Sequence, residues 1–327
     1  MMPRSALLFL SGALAAVGAA LSVFSFDSAF AQAPKTIRFI VPIAAGGADD
    51  FVSRLLADQV ARMQGISTVV ENRPGAGTVI GTEAASRAAP DGATLMITDS
   101  SFVVTPHLRK LAFDPLTAFT PVCVLARVPM IIAVNSSSPY WSFADLIAAA
   151  RAKPGDLTIA GTGPATVFHI GVEKLKRIAN VDLTFVPYSG GGPVLNALLG
   201  GHVSAMLNSY ATASGQLQAG KLRALAAAMH QRIDALPDVP TVAEFGYADY
   251  EVDFWIGLFA PAKTPKEVVA QIADWFKAAI ETPEVQGKLK VQGLNPVASC
   301  GSDFAALIRE QYDEYGSLVR EAGITAE

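Results

Sequence analysis

The sequence predicts an α/β protein made of two lobes that face each other like the halves of a clam-shell. Three observations support this fold class. A buried strand, a loop of small residues and a helix follow one another at 37–56, and this order recurs along the chain. The 327 residues suffice for two domains, and 51% hydrophobic against 17% charged residues provide for a large core. Small polar residues at 135–139 mark a crossover between lobes.

The first 31 residues have the features of an export signal. Arg4 precedes an apolar segment at 6–24, and Ala29-Phe30-Ala31 has the small-x-small pattern that signal peptidase cleaves. We therefore predict a signal peptide at 1–31 and a mature protein located in the periplasm. The alternative is an uncleaved membrane anchor, because about 19 apolar residues can span a bilayer.

The segment 37–56 contains the first predicted binding loop. Residues 37–41 form an apolar run that predicts a strand, Pro42 ends it, and a loop of Ala and Gly follows at 44–47. Asp49 or Asp50 can cap the next helix. Such a loop brings free N–H groups and the positive end of a helix dipole to one point, which favours an anion. A tight turn that binds nothing is the alternative interpretation.

The same order of elements recurs further along the chain. Ligands collect at the carboxyl ends of parallel strands. We therefore predict that the loops that follow the strands given below form two walls of a site for a small anion. Strands are predicted at 68–72, 94–98, 158–160, 183–186, 202–207, 223–228 and 250–259, with one apolar stretch at 122–134. Helices are predicted at 79–88, 143–152, 167–178, 194–199, 241–245, 267–280 and 302–322.

The residue patterns of common catalytic sites are absent from the sequence. The four histidines lack metal-ligand spacing, and neither a G-x-S-x-G elbow nor a phosphate-binding loop occurs. Adjacent Asp49 and Asp50 are more typical of a helix start than of an acid/base pair. We predict no enzymatic activity, no cofactor and no metal, with an exported hydrolase as the alternative. A net charge of −4 without a basic cluster predicts no nucleic-acid partner.

Cys123 and Cys300 are the two cysteines of the chain. An exported protein can join two such residues, but the sequence gives no distance between them. Cys123 lies in an apolar run, which is typical of a small buried hydrophobic side chain. The sequence favours two free thiols.

Seven motifs occur in a characteristic order: VP…GG-x-x-D at 41–50, ENRPGAG at 71–77, PDG-x-TL at 90–95, T-x-x-H…E at 166–173, VPY-x-GG at 186–191, LPDVPT at 236–241 and W-x-G…AP at 255–261. With them the chain resembles, over 35–323, the extracytoplasmic solute receptors of the tripartite tricarboxylate transporter family, called Bug or TctC-like proteins. The resemblance implies a periplasmic binding protein of type II, a Venus fly-trap with two crossovers between its lobes. We expect lobe 1 to comprise 32–134 and 254–327, and lobe 2 to comprise 135–253.

The resemblance also implies a receptor that captures a small carboxylate and hands it to a membrane permease of the tripartite tricarboxylate type. We expect a monomer, because such a receptor must dock and release. A receptor that docks to a sensor protein is the alternative. Backbone amides and hydroxyl groups suit this task because they bind a carboxylate reversibly. The implied ligand-binding residues are Ile43, Ala44, Ala45, Gly46, Gly47, Asp49, Gly75, Ala76, Gly77, Thr78, Ser100 and Ser101 in lobe 1, and Gly161, Thr162, Gly163, Thr166, His169, Tyr188 and Asn208 in lobe 2.

Four positions depart from the family pattern. Asp49 stands where the family usually has Thr or another small residue, Ser189 stands where Lys is frequent, and Gly161 and Ala165 stand where Ser and Gly are usual. A carboxylate at position 49 would repel a second acid group or pair with a ligand ammonium, but we expect it to point to solvent as a second helix cap. Our hypothesis is a monocarboxylate or an amino-bearing acid as the ligand, rather than citrate.

Overall fold

The structure is a computed structural model that describes residues 34–164 and 166–325. The predicted signal peptide lies outside these ranges. The strands are β1 (Thr36–Val41), β2 (Ser67–Asn72), β3 (Thr94–Asp99), β4 (Phe119–Arg127), β5 (Met130–Asn135), β6 (Thr158–Thr162), β7 (Thr184–Tyr188), β8 (Ala205–Ser209), β9 (Leu222–Ala227), β10 (Trp255–Pro261) and β11 (Asn295–Cys300). The helices are α1 (Ala48–Gln64), α2 (Val79–Ser86), α3 (Ser101–Leu108), α4 (Pro115–Ala118), α5 (Phe143–Ala152), α6 (Val167–Ala179), α7 (Gly191–Leu199), α8 (Tyr210–Gln218), α9 (Lys266–Ile280), α10 (Pro283–Val291) and α11 (Ser302–Ala322), with a short 3-10 turn at Ala243–Phe245.

The described strands form two sheets. The first has the strand order β11-β4-β10-β3-β1-β2, and the second has the order β7-β6-β8-β5-β9. In the first sheet β1 is parallel to β2 and β3, whereas β10 is antiparallel to both β3 and β4. In the second sheet β6 is parallel to β7 and β8, and β5 is antiparallel to β8 and β9.

Helix α1 shows how the sequence positions one layer on a sheet. Val52, Leu56 and Val60 recur every four residues, so they share one face of the helix, and all three are fully buried. This face packs beside α9, whose Phe276 contacts Phe39 of β1 with ring centroids 5.7 Å apart. The start of α1 is thereby held at the end of β1.

No helix in the described part of the chain is long and apolar enough to cross a membrane.

Two crossovers connect the sheets, and the first is formed by Val128 and Pro129. The apolar stretch 122–134 contains parts of two strands, β4 and β5, which belong to different sheets. The predicted lobe boundary at 134/135 therefore falls inside β5. The chain returns between β9 and β10, where the Phe254 carbonyl accepts from Val128 N–H at 2.7 Å.

A polar network joins the two crossovers to helix α11. Arg127, at the end of β4, donates to Asp253 at 2.5 Å. Gln311 of α11 donates to the other carboxylate oxygen of Asp253 at 2.8 Å and accepts from the Trp255 indole N–H at 2.7 Å. Gln311, Asp253 and Trp255 are buried, so each bond satisfies a polar group that water does not reach.

Cys123 and Cys300 form a disulfide, so the predicted pair of free thiols is wrong. Strand β11 pairs antiparallel with β4, and its register places Cys300 directly opposite Cys123, with a Cα–Cα distance of 4.0 Å. The sequence pattern did not predict β11, so it gave no indication that these residues meet. Cys123 is fully buried, as its apolar run predicts.

Candidate functional site

The carboxyl ends of the parallel strands in the two sheets face each other across the crossovers. Because β3 and β4 both pair antiparallel with β10, β4 ends at the same edge as β1, β2 and β3. After Val128 and Pro129 the chain enters β5, which starts beside the end of β8 since these two strands are antiparallel. The loops after β1, β2, β3, β6, β7 and β8 therefore surround one cleft.

In the described part of the chain, four helices begin at this cleft with no side-chain acceptor at their first turn, namely α1, α2, α6 and α7. Helix α3 also begins there without an N-cap bond, but the Asp99 carboxylate accepts from its first N–H, that of Ser101. By contrast, α5 begins with a capping box of Ser142 and Asp145, and Ser209 and Thr282 cap α8 and α10. Helices α9 and α11 also lack such a cap, but they follow β10 and β11 and start at the opposite edge. First-turn N–H groups without a side-chain acceptor can bind an external anion.

The loop between β1 and α1 presents its backbone to the cleft. Residues 44–47 are exposed, and Ile43 is partly buried. Gly46 has a φ of 92°, which favours glycine, and a Cβ at this position would meet no atom within 4 Å. Gly46 N–H donates to Asp50 at 3.0 Å, and the Ile43 carbonyl accepts from Asn72 at 3.1 Å. The two bonds fix both ends of an open, amide-rich loop.

The second loop has an unusual backbone. Gly75, Ala76, Gly77 and Thr78 all have positive φ values, of 138°, 49°, 62° and 77°. For Ala76 and Thr78 this conformation is strained, and such strain is concentrated at functional sites. The Gly77 carbonyl accepts a hydrogen bond of 3.4 Å from Thr105 of α3, which links this loop to the third one.

The third loop is less accessible than its sequence indicates. Ser100 and Ser101 are buried at the start of α3, a helix that the sequence pattern did not predict. Ser101 N–H donates to the Asp99 carboxylate at 2.7 Å. Within the described residues, the hydroxyl oxygens of Ser100 and Thr98 are buried without a hydrogen-bond partner. These hydroxyls lie beneath the cleft surface in this structure.

Asp49 is buried, so the expectation that it points to solvent is wrong. It shares the sheet-facing side of α1 with Val52 and Leu56, and only 5% of it is exposed. Burial, and then the neighbouring Asp99, raise the pKa of Asp49 well above its usual range. Burial thus favours the protonated form of Asp49 over a wider pH range than is usual for an aspartate.

Five predicted residues of the second lobe hold its own loops together. Gly163 N–H donates to the Tyr188 carbonyl at 2.7 Å, and the Thr166 hydroxyl donates to the Thr162 carbonyl at 2.5 Å. The Asn208 amide donates to the Gly191 carbonyl at 3.0 Å, which connects the end of β8 to the start of α7. The loops after β6, β7 and β8 thus form one wall.

Gly161 and His169 both pack against Phe185 of the second lobe. A Cβ at Gly161 would lie 2.7 Å from the Phe185 ring, so this glycine permits close packing. His169 stacks on the same ring at 4.4 Å and lies 3.9 Å from the Glu173 carboxylate. Burial lowers the pKa of His169. This environment favours a neutral, structural imidazole.

A cavity of about 860 Å³ opens beside the first loop. Gly46 and Gly47 are the predicted site residues that line it, and the rest of its wall comes from α1, the end of α10 and the start of α8 with Ser209. This volume lies within the range of small-molecule sites, which is roughly 300–1,000 Å³. The α8 and α10 walls were not predicted, although Ser209, in a cap position after a strand, is a signal that could have located α8.

Both basic side chains on the cavity wall are already paired. Arg54 contacts Asp50 at 2.9 Å, and Lys288 donates to Glu284 at 2.7 Å. Burial raises the pKa of Asp50, but hydrogen bonds from Arg54 and from Gly46 N–H outweigh it and lower the pKa overall. The free donors next to the cavity are therefore backbone N–H groups rather than side-chain cations.

Comparison with known proteins gives consistent matches. Residues 52–324 match the TctC family, described as "Tripartite tricarboxylate transporter family receptor". The periplasmic binding protein BugD is 32% identical, with a TM-score of 0.78 over 89% of this chain and 98% of BugD. A protein of R. palustris solved with adipate is 31% identical, with a TM-score of 0.82 over 90% and 99%. MatC from Rhodopseudomonas palustris with bound malate is 30% identical, with a TM-score of 0.75 over 87% and 98%.

The two sheets, their crossovers and the cleft between them define a two-lobed solute-binding protein of the periplasmic type. The chain belongs to the tripartite tricarboxylate transporter receptor family, TctC. This confirms both the fold class and the resemblance inferred from the seven motifs.

Proposed function

We propose that this protein is a periplasmic receptor that captures a small carboxylate between its lobes and delivers it to a permease of the tripartite tricarboxylate type. The observation that carries the proposal is the convergence of the uncapped starts of α1, α2, α6 and α7, which belong to both lobes, on one cleft. A carboxylate can accept hydrogen bonds from such N–H groups and is stabilised by the helix dipoles. Relatives solved with adipate and malate support this ligand class.

The receptor binds its ligand without converting it. It is exported to the periplasm, and its signal peptide is removed by cleavage after Ala31. Membership of a receptor family supports the first statement, the periplasmic relative BugD supports the location, and the small-x-small pattern Ala29-Phe30-Ala31 supports the cleavage site. Incubation with a bound acid should yield no product, whereas a new product would favour the hydrolase alternative. Cell fractionation and N-terminal sequencing should find a mature periplasmic chain that begins at Gln32.

The binding test is thermal unfolding of the mature protein with a panel of small carboxylic acids. An acid present at one hundred times its dissociation constant adds about 2.7 kcal/mol to the free energy of unfolding. Gly47→Asp should weaken the best acid by about tenfold to hundredfold, because the new carboxylate accepts the N–H groups that the ligand uses. The variant should fold normally, since a Cβ at Gly47 meets no atom within 4 Å.

Pro265→Asp is the matched control for this variant. Pro265 is exposed and occupies the same position at the start of α9, at the opposite edge of the sheet. The Pro265→Asp variant adds the same charge at the start of a helix as Gly47→Asp does, and it should leave acid binding unchanged. Equal binding by Gly47→Asp and the wild type would refute a carboxylate site at the first loop.

A further inference from the structure

The cavity beside the first loop has an apolar floor. Ala48, Phe51 and Leu55 are spaced three and four residues apart on α1, so they form a stripe along one face of the helix. Leu294, just before β11, and Ala211, in α8, close the cavity from the other side. Phe51 is only partly buried by the protein itself, which leaves part of an aromatic ring for another molecule to cover.

This floor begins at the proposed carboxylate site. Gly46 and Gly47 line the same cavity, and Ala48 is the first residue of α1. A carboxylate held by the N–H groups of the first loop would therefore continue directly onto the stripe. The apolar surface is thus positioned to contact the body of a ligand rather than its acid group.

The charges around the cavity do not favour a second carboxylate. Among the described residues that line it, the basic side chains are Arg54 and Lys288. Asp50 pairs with Arg54, and Glu284 pairs with Lys288. Asp58 adds a negative charge to the wall and pairs with Arg62. A second acid group lying along the stripe would lose water without gaining an unpaired cation, and the hydroxyl groups of Ser209 and Thr212 on the facing wall are already bonded to each other at 2.8 Å.

We propose that the ligand is a hydrophobic monocarboxylate whose acid group binds at the first loop and whose apolar body covers the stripe of Ala48, Phe51 and Leu55. This inference rests on the proposed carboxylate-receptor function and narrows its ligand class. Each methylene that moves from water onto the stripe strengthens binding by about fourfold. A dicarboxylate of the same length cannot gain the same increase in affinity, because its distal carboxylate stays hydrated.

The test is isothermal titration of the mature protein with acetate, butyrate, hexanoate, octanoate, benzoate, succinate and adipate at constant ionic strength. We expect the dissociation constant to fall by about 250-fold from butyrate to octanoate, which differ by four methylenes at about fourfold each. Hexanoate should bind more tightly than adipate, although both contain six carbons. Phe51→Ala should weaken octanoate by at least tenfold and leave acetate nearly unchanged.

Two more variants complete the design. Phe51→Lys supplies the missing cation and should reverse the preference, so that adipate binds more tightly than hexanoate. Met63→Ala is the control, because Met63 is an exposed apolar residue of the same helix outside the cavity. It should leave the whole series unchanged.

The possible results separate this inference from the function on which it rests. Equal affinities along the series, tighter binding of adipate than of hexanoate, or equal weakening of acetate and octanoate by Phe51→Ala would overturn the apolar ligand class while the carboxylate receptor stands. If none of the acids binds, both the receptor function and the inference fall.

Discussion

Reduction of the disulfide between Cys123 and Cys300 is expected to lower the free energy of unfolding by about 5 kcal/mol. The bond ties β4 to β11, which is an edge strand of its sheet, and the two cysteines are 177 residues apart. In the chain-entropy treatment, a cross-link that closes a loop of this length removes about 17 cal/mol/K from the unfolded state, which corresponds to about 5 kcal/mol at 25 °C. The same bond holds β11 against β4 in the native state.

The assay is urea unfolding of the mature protein with and without dithiothreitol, alongside the double variant C123A/C300A. Reductant should shift the wild-type midpoint to lower urea, whereas it should leave the double variant unchanged because no disulfide remains. Hydrogen exchange after reduction should rise first in β11, whose residues are only partly buried apart from exposed Asn295. Alkylation of both cysteines in unfolded protein that was never reduced would show free thiols and refute the reasoning.

Two further predictions concern buried polar groups. The pKa of Asp49 is raised in the native state, so the native protein holds a proton that the unfolded chain has already lost. The stability that this proton contributes is complete below a pH of about 4, where the unfolded chain is protonated too. It is lost as the pH rises through the pKa that Asp49 has in the native state. The urea midpoint of Asp49→Asn should therefore exceed that of the wild type by more at pH 8 than at pH 4, and an unchanged difference would contradict this. Gln311→Ala removes the partner of one Asp253 carboxylate oxygen and of the Trp255 indole N–H, while Arg127 still binds the other oxygen, so it should cost about 2–4 kcal/mol in urea unfolding. Arg309→Ala, an exposed neighbour, should cost less than about 0.5 kcal/mol, and equal losses in both variants would exclude the network as the cause.

The elements that the sequence predicts well are those whose signals are local. Helix α5 has the predicted bounds because Ser142 caps it and Asp145 completes a capping box within one turn. Helix α10 was missed because few of its side chains are apolar, and only Val285 and Leu289 are buried. Strand β11 contains Pro296 and is stabilised by its pairing with β4, which no short segment of sequence reveals.

In the candidate site, too, the features with a local sequence signal could be predicted, and those that depend on the packing of distant segments could not. Its small-residue loops are visible in the sequence, because glycine and alanine next to a strand end are a local pattern. The orientation of Asp49 depends on which face of α1 meets the sheet, and this is settled only when α1 packs beside α9. The cavity combines α1 with α10 and α8, which are far apart in the chain, so its apolar floor could not be recognised before the helices were placed.

The missing helix caps explain how binding and closure are coupled under the proposed function. A cap contributes about 1 kcal/mol to a helix, so starts such as those of α1, α6 and α7 leave stability unused in the empty protein. A carboxylate that accepts hydrogen bonds from the first N–H groups of α1 supplies one of these caps whether the lobes are open or closed. This interaction alone therefore does not shift the equilibrium between the open and the closed form. Contacts to α6 or α7 form only when the second lobe approaches. Because the ligand gains them solely in the closed form, it favours closure by their free energy.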